Sequence, residues 1–237
     1  LSIQKGFAHA VGAPPGAPDE LVGAGLLCFE ANTTTGLGVT LDRCTVRGNF
    51  AKAEGGGIAS EGNGLVMRDC RVLGNASRFG AGYAGLGQIE NHSNSHLEVH
   101  RTLWAENHVR LVSAGPSAGG SMALDRTIAD VRNCVFHSNS ASTGNSTGMG
   151  GAIYVNGGSV LRASNNTFRK NRTFTGGTGN AVGATLFCEP AIGHLEFLNN
   201  ICWEPSPLQD HMQYPSPQYI GCFGLNNIED MANNIPA

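Results

Sequence analysis

One short phrase ending in asparagine recurs along the chain: Val46-Arg47-Gly48-Asn49, Val72-Leu73-Gly74-Asn75, Trp104-Ala105-Glu106-Asn107, Phe136-His137-Ser138-Asn139 and Phe168-Arg169-Lys170-Asn171. A degenerate sixth copy, Cys202-Trp203-Glu204-Pro205, puts proline where the asparagine stood. Between the copies sits a second phrase, small residues before an apolar anchor: Gly56-Gly57-Ile58, Gly87-Gln88-Ile89, Gly120-Ser121-Met122, Gly151-Ala152-Ile153, Ala184-Thr185-Leu186 and Ile220-Gly221, with Leu26 leading the series. A repeat of about 32 residues means that each unit is one supersecondary structure, which buries its apolar side only by stacking on the next.

Within the unit the apolar residues alternate with period two, which predicts strands rather than helices. Val39/Leu41, Leu65/Met67, Leu97/Val99, Ala129/Val131, Leu161/Ala163 and Leu195/Phe197 are such pairs. Three residues after each pair comes Cys44, Cys70, Thr102, Cys134, Asn166 or Asn200, and two later Val46, Val72, Trp104, Phe136, Phe168 or Cys202. Composition agrees, because 34 glycines with only 14% charged residues suit turns and oppose long solvated helices. The reading is an all-β parallel solenoid of about seven coils, three short strands to a coil, each strand ~4.8 Å from its counterpart in the next coil. It predicts one domain over 1–237, with an incomplete first coil and loop at 1–22, regular coils at 23–223 and a tail at 224–237.

Gly150-Gly151-Ala152-Ile153-Tyr154, with Phe136-x-x-Asn139 and Phe168-x-x-Asn171, resembles the paired motifs of polymorphic outer-membrane-protein repeats. Ser164-Asn165-Asn166-Thr167-Phe168 is similar to the coil consensus of the right-handed parallel β-helix, or pectin-lyase-like, superfamily. The resemblance covers residues 23 to 223. It implies a right-handed β-helix with stacked turn asparagines, and a superfamily that holds adhesins, phage spikes, lyases and hydrolases. For an enzyme of that group it implies a cleft on the outer face of the first strand.

The outward positions expected there are Leu27, Ala59, Glu90, Ala123, Tyr154, Phe187 and Gly221, of which Glu90 alone is acidic. A lyase needs a base, commonly Lys or Arg, and acids or Ca²⁺ to stabilise the developing charge, and a hydrolase needs two carboxylates. The second strand offers more. Its outward columns, Thr40, Val66, Glu98, Asp130, Arg162, Glu196 and Asp42, Arg68, His100, Arg132, Ser164, Leu198, place Glu98, His100, Asp130 and Arg132 in two adjacent coils. Such a patch is either a catalytic or sugar-binding site, or a solvated ladder of compensating charges. His92, His96 and His100 recur every four residues, a metal-ligand spacing on a helix but not on strands, and His92 and His96 are expected in a turn. No metal or cofactor motif occurs.

Seven cysteines are present. Cys188 with Cys222, and Cys44 with Cys70, fall one coil apart in like columns, where a disulfide or two buried thiols are both compatible with the separation. Asn-x-Ser/Thr sequons at Asn32, Asn75, Asn91, Asn145, Asn165 and Asn171 suggest an extracellular or cell-surface glycoprotein. Asn32, Asn91 and Asn145 are the better acceptors, since Asn75 and Asn171 belong to the repeat phrase. A net charge of −3 without a basic run argues against nucleic acid, and no apolar stretch is long enough to span a membrane. Leu1-Ser2-Ile3 already alternates like a strand, so the remainder of a longer chain or a neighbouring protein is expected to complete the first coil, while Pro205 to Pro217 and the tail cover the other end. Two functions fit. One is a structural or adhesive module whose loops contact polysaccharide or protein; the other is a polysaccharide lyase or glycoside hydrolase using Glu98, His100, Asp130 and Arg132.

Overall fold

The structure is a computed structural model, and it describes residues 1–8, 24–29, 38–62, 64–86, 94–110, 117–143, 148–175, 181–189, 192–203, 212–213 and 228–229. Every strand among them pairs in parallel, and no helix occurs among them. The first ladder stacks Leu26–Phe29, Ile58–Glu61, Tyr83–Leu86, Met122–Asp125, Ile153–Asn156, Leu186–Cys188 and Met212–Gln213. The second stacks Val39–Asp42, Gly64–Arg68, Ser95–His100, Thr127–Arg132, Val160–Ser164 and His194–Leu198. The third runs from Ser2–Gln4 through Thr45–Arg47, Arg71–Leu73, Leu103–Ala105, Val135–His137, Thr167–Arg169 and Ile201–Trp203 to Ile228–Glu229.

Three strands to a unit is too few. A fourth ladder follows the repeat asparagine: Phe7–Ala8, Phe50–Ala51, Ala76–Ser77, His108–Arg110, Ser140–Thr143 and Arg172–Thr175. A fifth and shorter one pairs Ser117–Ala118, Gly148–Met149 and Ala181–Val182. Seven regular coils, in turn, is too many. About four turns, those beginning at Ile58, Tyr83, Met122 and Ile153, have strands of the first three ladders paired on both sides. The flanking turns are partial.

The second and third ladders keep the register read from the sequence, Leu65 on Leu97, Glu98 on Asp130, Phe136 on Phe168. The first departs from it at two points. Tyr83, not Ile89, stands between Ile58 and Met122, and Met212, not Ile220, follows Leu186. The positions assigned to Glu90 and Gly221 are therefore held by Ala84 and Gln213, while Glu90 and Gly221 lie outside the described residues. Packing explains the choice. Tyr83 and Trp104 are fully buried, and both need room: a Cβ on Gly85 would come within 2.9 Å of the Tyr83 hydroxyl, and one on Gly82 within 3.0 Å of the Trp104 ring.

The interior is a stack of like on like. Phe136 is parallel to Trp104 at 6.2 Å and to Phe168 at 4.7 Å between ring centroids. The two turns flanking the third strand carry polar ladders. Asn75 Oδ1 accepts from both the backbone N–H and the side-chain amide of Asn49, at 3.0 Å each, and the same pair of bonds links Asn75 to Asn107, Asn107 to Asn139 and Asn139 to Asn171. The five asparagines are buried, so the sequons at Asn75 and Asn171 point inward. At the other turn Asn166 does the same with Asn200. The residue before that turn is left-handed in every coil, from Arg43 to Asn199, and is asparagine in the last three. Asparagine tolerates this conformation best after glycine.

In the earlier coils thiols replace the turn asparagine. Cys70 Sγ donates to Leu41 O at 3.3 Å and Arg68 O at 3.2 Å, and Cys44 Sγ donates to Asp42 O at 3.2 Å. Cys44 and Cys70 are free, so the candidate disulfide between them is not formed; each sulfur is turned to a carbonyl. Cys188 is likewise a free buried thiol, and Cys222 lies outside the described residues. Burial pushes Cys28 up to about 11 and Cys134 and Cys188 up to about 12. These thiols are protonated in the fold and titrate near 8.5 in the unfolded chain. Their contribution to stability is complete below that value and is lost as the pH rises from about 8.5 towards their folded values. Expected results are negligible labelling of Cys28, Cys134 and Cys188 by a thiol reagent at pH 8 without denaturant, and an unfolding midpoint that falls from pH 8.5 to 10.5. Rapid labelling of these three in the native protein would contradict the packing described.

Candidate functional site

The second ladder brings Glu98, His100, Asp130 and Arg132 onto one outward face, as its alternation dictates. With His96, Val66 and Ile128 they border an open hollow of about 610 Å³. Within it the charges are matched. His100 Nε2 lies 2.9 Å from Glu98 Oε1, and Arg68 Nη2 approaches the same oxygen at 3.5 Å. Arg132 donates through Nε to Asp130 Oδ1 at 2.5 Å and through Nη2 to Oδ2. The hydrogen bond to Asp130 holds the Arg132 guanidinium above its ordinary value. Further along the ladder, Arg162 Nε, one coil on, and His194 Nε2, two coils on, face Glu196 at 3.8 and 2.9 Å.

Both carboxylates of the four-residue patch thus have a cationic or imidazole partner within hydrogen-bond reach. Because the Asp130–Arg132 pair is about half exposed at Arg132, its coupling is small. A double-mutant cycle of Asp130→Asn and Arg132→Gln should give about 0.2–1 kcal/mol, and a coupling above about 2 kcal/mol in urea unfolding would show a desolvated pair instead.

His96 belongs to the strand Ser95–His100, paired to Gly64 and Ile128, rather than to a turn, and it shares its face with His100. His92 lies outside the described residues, as do Asn32, Asn91 and Asn145. Among the described residues no group of three or more His, Cys, Asp or Glu is placed to hold a metal. No helix among them is long and apolar enough to cross a membrane.

A second concavity, which the sequence reading missed, lies on the first ladder. Its volume is about 270 Å³. Ala84, Ala123 and Tyr154 are consecutive members of one outward column, and the small alanines leave the space that Tyr154, Phe79 and Met149 border. Asp125 and Asn156, at strand ends, and Glu189 supply its polar side. The Tyr154 hydroxyl donates to Glu189 Oε1 at 3.3 Å, and the Tyr154 ring is parallel to Phe187 at 6.0 Å. Arg126 Nη2 donates to Asp125 Oδ2 at 3.0 Å, while Asp125 Oδ1 is buried with no hydrogen-bond partner among the described residues. Burial raises the Asp125 carboxyl above the usual range, and Arg126 opposes the shift. Burial, then Glu189, pushes the Tyr154 phenol up. The four-residue strands of the first ladder have two outward positions, and the catalytic face expected from the sequence uses the one nearer the start. The other reads Glu61, Leu86, Asp125, Asn156, and its acids were the available signal.

Comparison with models of protein families, with curated proteins and with solved structures finds no match to this chain, so what identifies it is its own geometry: an all-β parallel solenoid.

Proposed function

We propose that this chain is the solenoid module of an extracellular or cell-surface structural or adhesive protein, a right-handed parallel β-helix of the pectin-lyase-like kind that contacts polysaccharide or protein through its lateral faces and longer connections. The observation that carries this reading is the matched charge on the second ladder. Glu98 is engaged by His100 and Arg68, and Asp130 by Arg132, which leaves that face suited to surface contacts rather than to proton transfer. The inward asparagine ladder and stacked aromatics supply the rigidity a spacer needs. The test is a panel of neutral and uronate-containing polysaccharides, with and without Ca²⁺, assayed for both binding and cleavage. Binding without turnover supports the module. Turnover abolished by His100→Ala or Arg132→Ala would overturn it.

A second reading, a polysaccharide lyase or glycoside hydrolase of that group, is favoured by a different observation. The Asp125 carboxyl, raised by burial beside Tyr154 and Glu189, has the character of a general acid in a concave site. Turnover that survives Arg132→Ala and is lost in Asp125→Asn would establish this alternative and place its chemistry on the first ladder.

A further inference from the structure

The outer face of the fourth ladder carries a hollow of about 270 Å³ lined by His108, Val109, Ser140, Ser142, Arg172 and Phe174. Parallel register builds it. His108, Ser140 and Arg172 are Cα partners in three successive turns, and Ser142 pairs with Phe174 two residues further along the same strands. Ser140 is buried with its Oγ 2.9 Å from His108 Nδ1, which orients the imidazole. The Arg172 guanidinium lies 4.6 Å from the centroid of the Phe174 ring, and Phe174 remains 39% exposed.

The arginines divide into those in ion pairs and those without one among the described residues, Arg47, Arg71, Arg78, Arg169 and Arg172. Arg68, Arg101, Arg126, Arg132 and Arg162 each stand beside an aspartate or glutamate. None of the six lining residues here is acidic, and Arg172 makes no ion pair among the described residues. In a chain of net charge −3, an unneutralised guanidinium grouped with an imidazole and two hydroxyls is complementary to an anion.

We propose that this hollow binds the oxyanion of an acidic saccharide, a uronate carboxylate or a sulfate ester; the assignment rests on the reading of the chain as a carbohydrate-contacting module. The guanidinium presents parallel N–H donors that match either oxyanion, and stacking on Phe174 limits its freedom before the ligand arrives. The Ser142 hydroxyl adds a donor, and the open part of the Phe174 ring offers an apolar surface to the C–H groups of the sugar. A neutral sugar gains little here, since it would cover Arg172 without neutralising it.

The test uses titration calorimetry on the full chain with an oligogalacturonate, a sulfated oligosaccharide, a neutral oligosaccharide of equal length and inorganic sulfate. Arg172→Gln, Arg172→Lys and the distant control Arg47→Gln, on the third ladder, are compared, each checked for an unchanged unfolding midpoint. Expected is binding of at least one acidic oligosaccharide, at least tenfold tighter than the neutral one, weakened tenfold or more by Arg172→Gln, less by Arg172→Lys, and unchanged by Arg47→Gln. The uronate and sulfate arms identify which oxyanion is preferred. Binding indifferent to Arg172→Gln, or equal for neutral and acidic saccharides, would overturn the site and leave the carbohydrate-contacting module standing. Sulfate bound through Arg172 with no saccharide bound at all would overturn both the saccharide assignment and that module.

Discussion

Asn139→Leu should destabilise the protein by about 2–6 kcal/mol, although the two side chains have the same number and branching of heavy atoms. Asn139 Oδ1 accepts from Asn107 N–H at 3.1 Å and from the Asn107 amide at 3.0 Å, and Asn139 Nδ2 donates to Trp104 O at 2.9 Å and Asn171 Oδ1 at 3.0 Å. Leucine removes all four bonds at a site with no exposure to solvent. The two donors of Asn107 are left without their acceptor, at about 1–3 kcal/mol each. Urea unfolding of the variant against the parent is the measurement. A loss below about 1 kcal/mol would mean that the asparagines do not form the continuous buried ladder described.

Phe136→Ala should cost about 3–5 kcal/mol, whereas Val135→Ala, one residue earlier on the same strand, should cost under about 0.5 kcal/mol. Phe136 is fully buried between Trp104 and Phe168, with interplanar angles of 7° and 9°, so its removal opens a void flanked by two rings that lose their partner. Val135 points the other way and is 40% exposed. Strand side chains alternate with period two, so a slip of one residue in register would exchange the two costs. Comparing unfolding midpoints of the two variants decides the facing of the third ladder.

The second and third ladders were legible in the sequence because their inward positions repeat in kind: Leu97 on Leu65, Val99 on Met67, Phe136 on Phe168. A column of like residues can be aligned without knowing where the chain bends. The first ladder was not fully legible, for a physical reason seated at Tyr83. Both Ala81-Gly82-Tyr83 and Gly87-Gln88-Ile89 put a small residue two positions before an apolar one, and nothing local marks the aromatic as the anchor. Its place follows from Gly82 and Gly85, whose missing Cβ atoms make the room for Trp104 and Tyr83, and that relation is visible only once the turns are stacked.

The connection entering the first strand also varies. From Asn75 it reaches Tyr83 through the strand Ala76–Ser77 alone, whereas from Asn107 it passes His108–Arg110 and then the further strand Ser117–Ala118, so an assumption of uniform connections shifts the anchor. The acidic side of the first-ladder concavity was hidden by a simpler cause. Asp125 sits at the strand end and Glu189 beyond one, in the second outward position of the strand, which the expectation of a catalytic face at the first position passed over. The grouping of Glu98, His100, Asp130 and Arg132, by contrast, follows from alternation alone. Their mutual neutralisation does not, because it depends on which way each long side chain turns.

Parallel stacking of one coil on the next is the central claim, and distances along one exposed column test it most directly. Thr45, Arg71, Leu103, Val135, Thr167 and Ile201 are successive Cα partners in the third ladder. Spin labels on cysteines placed at Arg71 and Ile201, and at Thr45 and Ile201, in a Cys222→Ser background, span four and five intervals of the ladder. Double electron–electron resonance should give backbone separations of ~19 and ~24 Å, a difference of ~5 Å for the added interval. An increment near ~10 Å, the spacing of packed helices or of facing sheets, would contradict a parallel strand-on-strand solenoid.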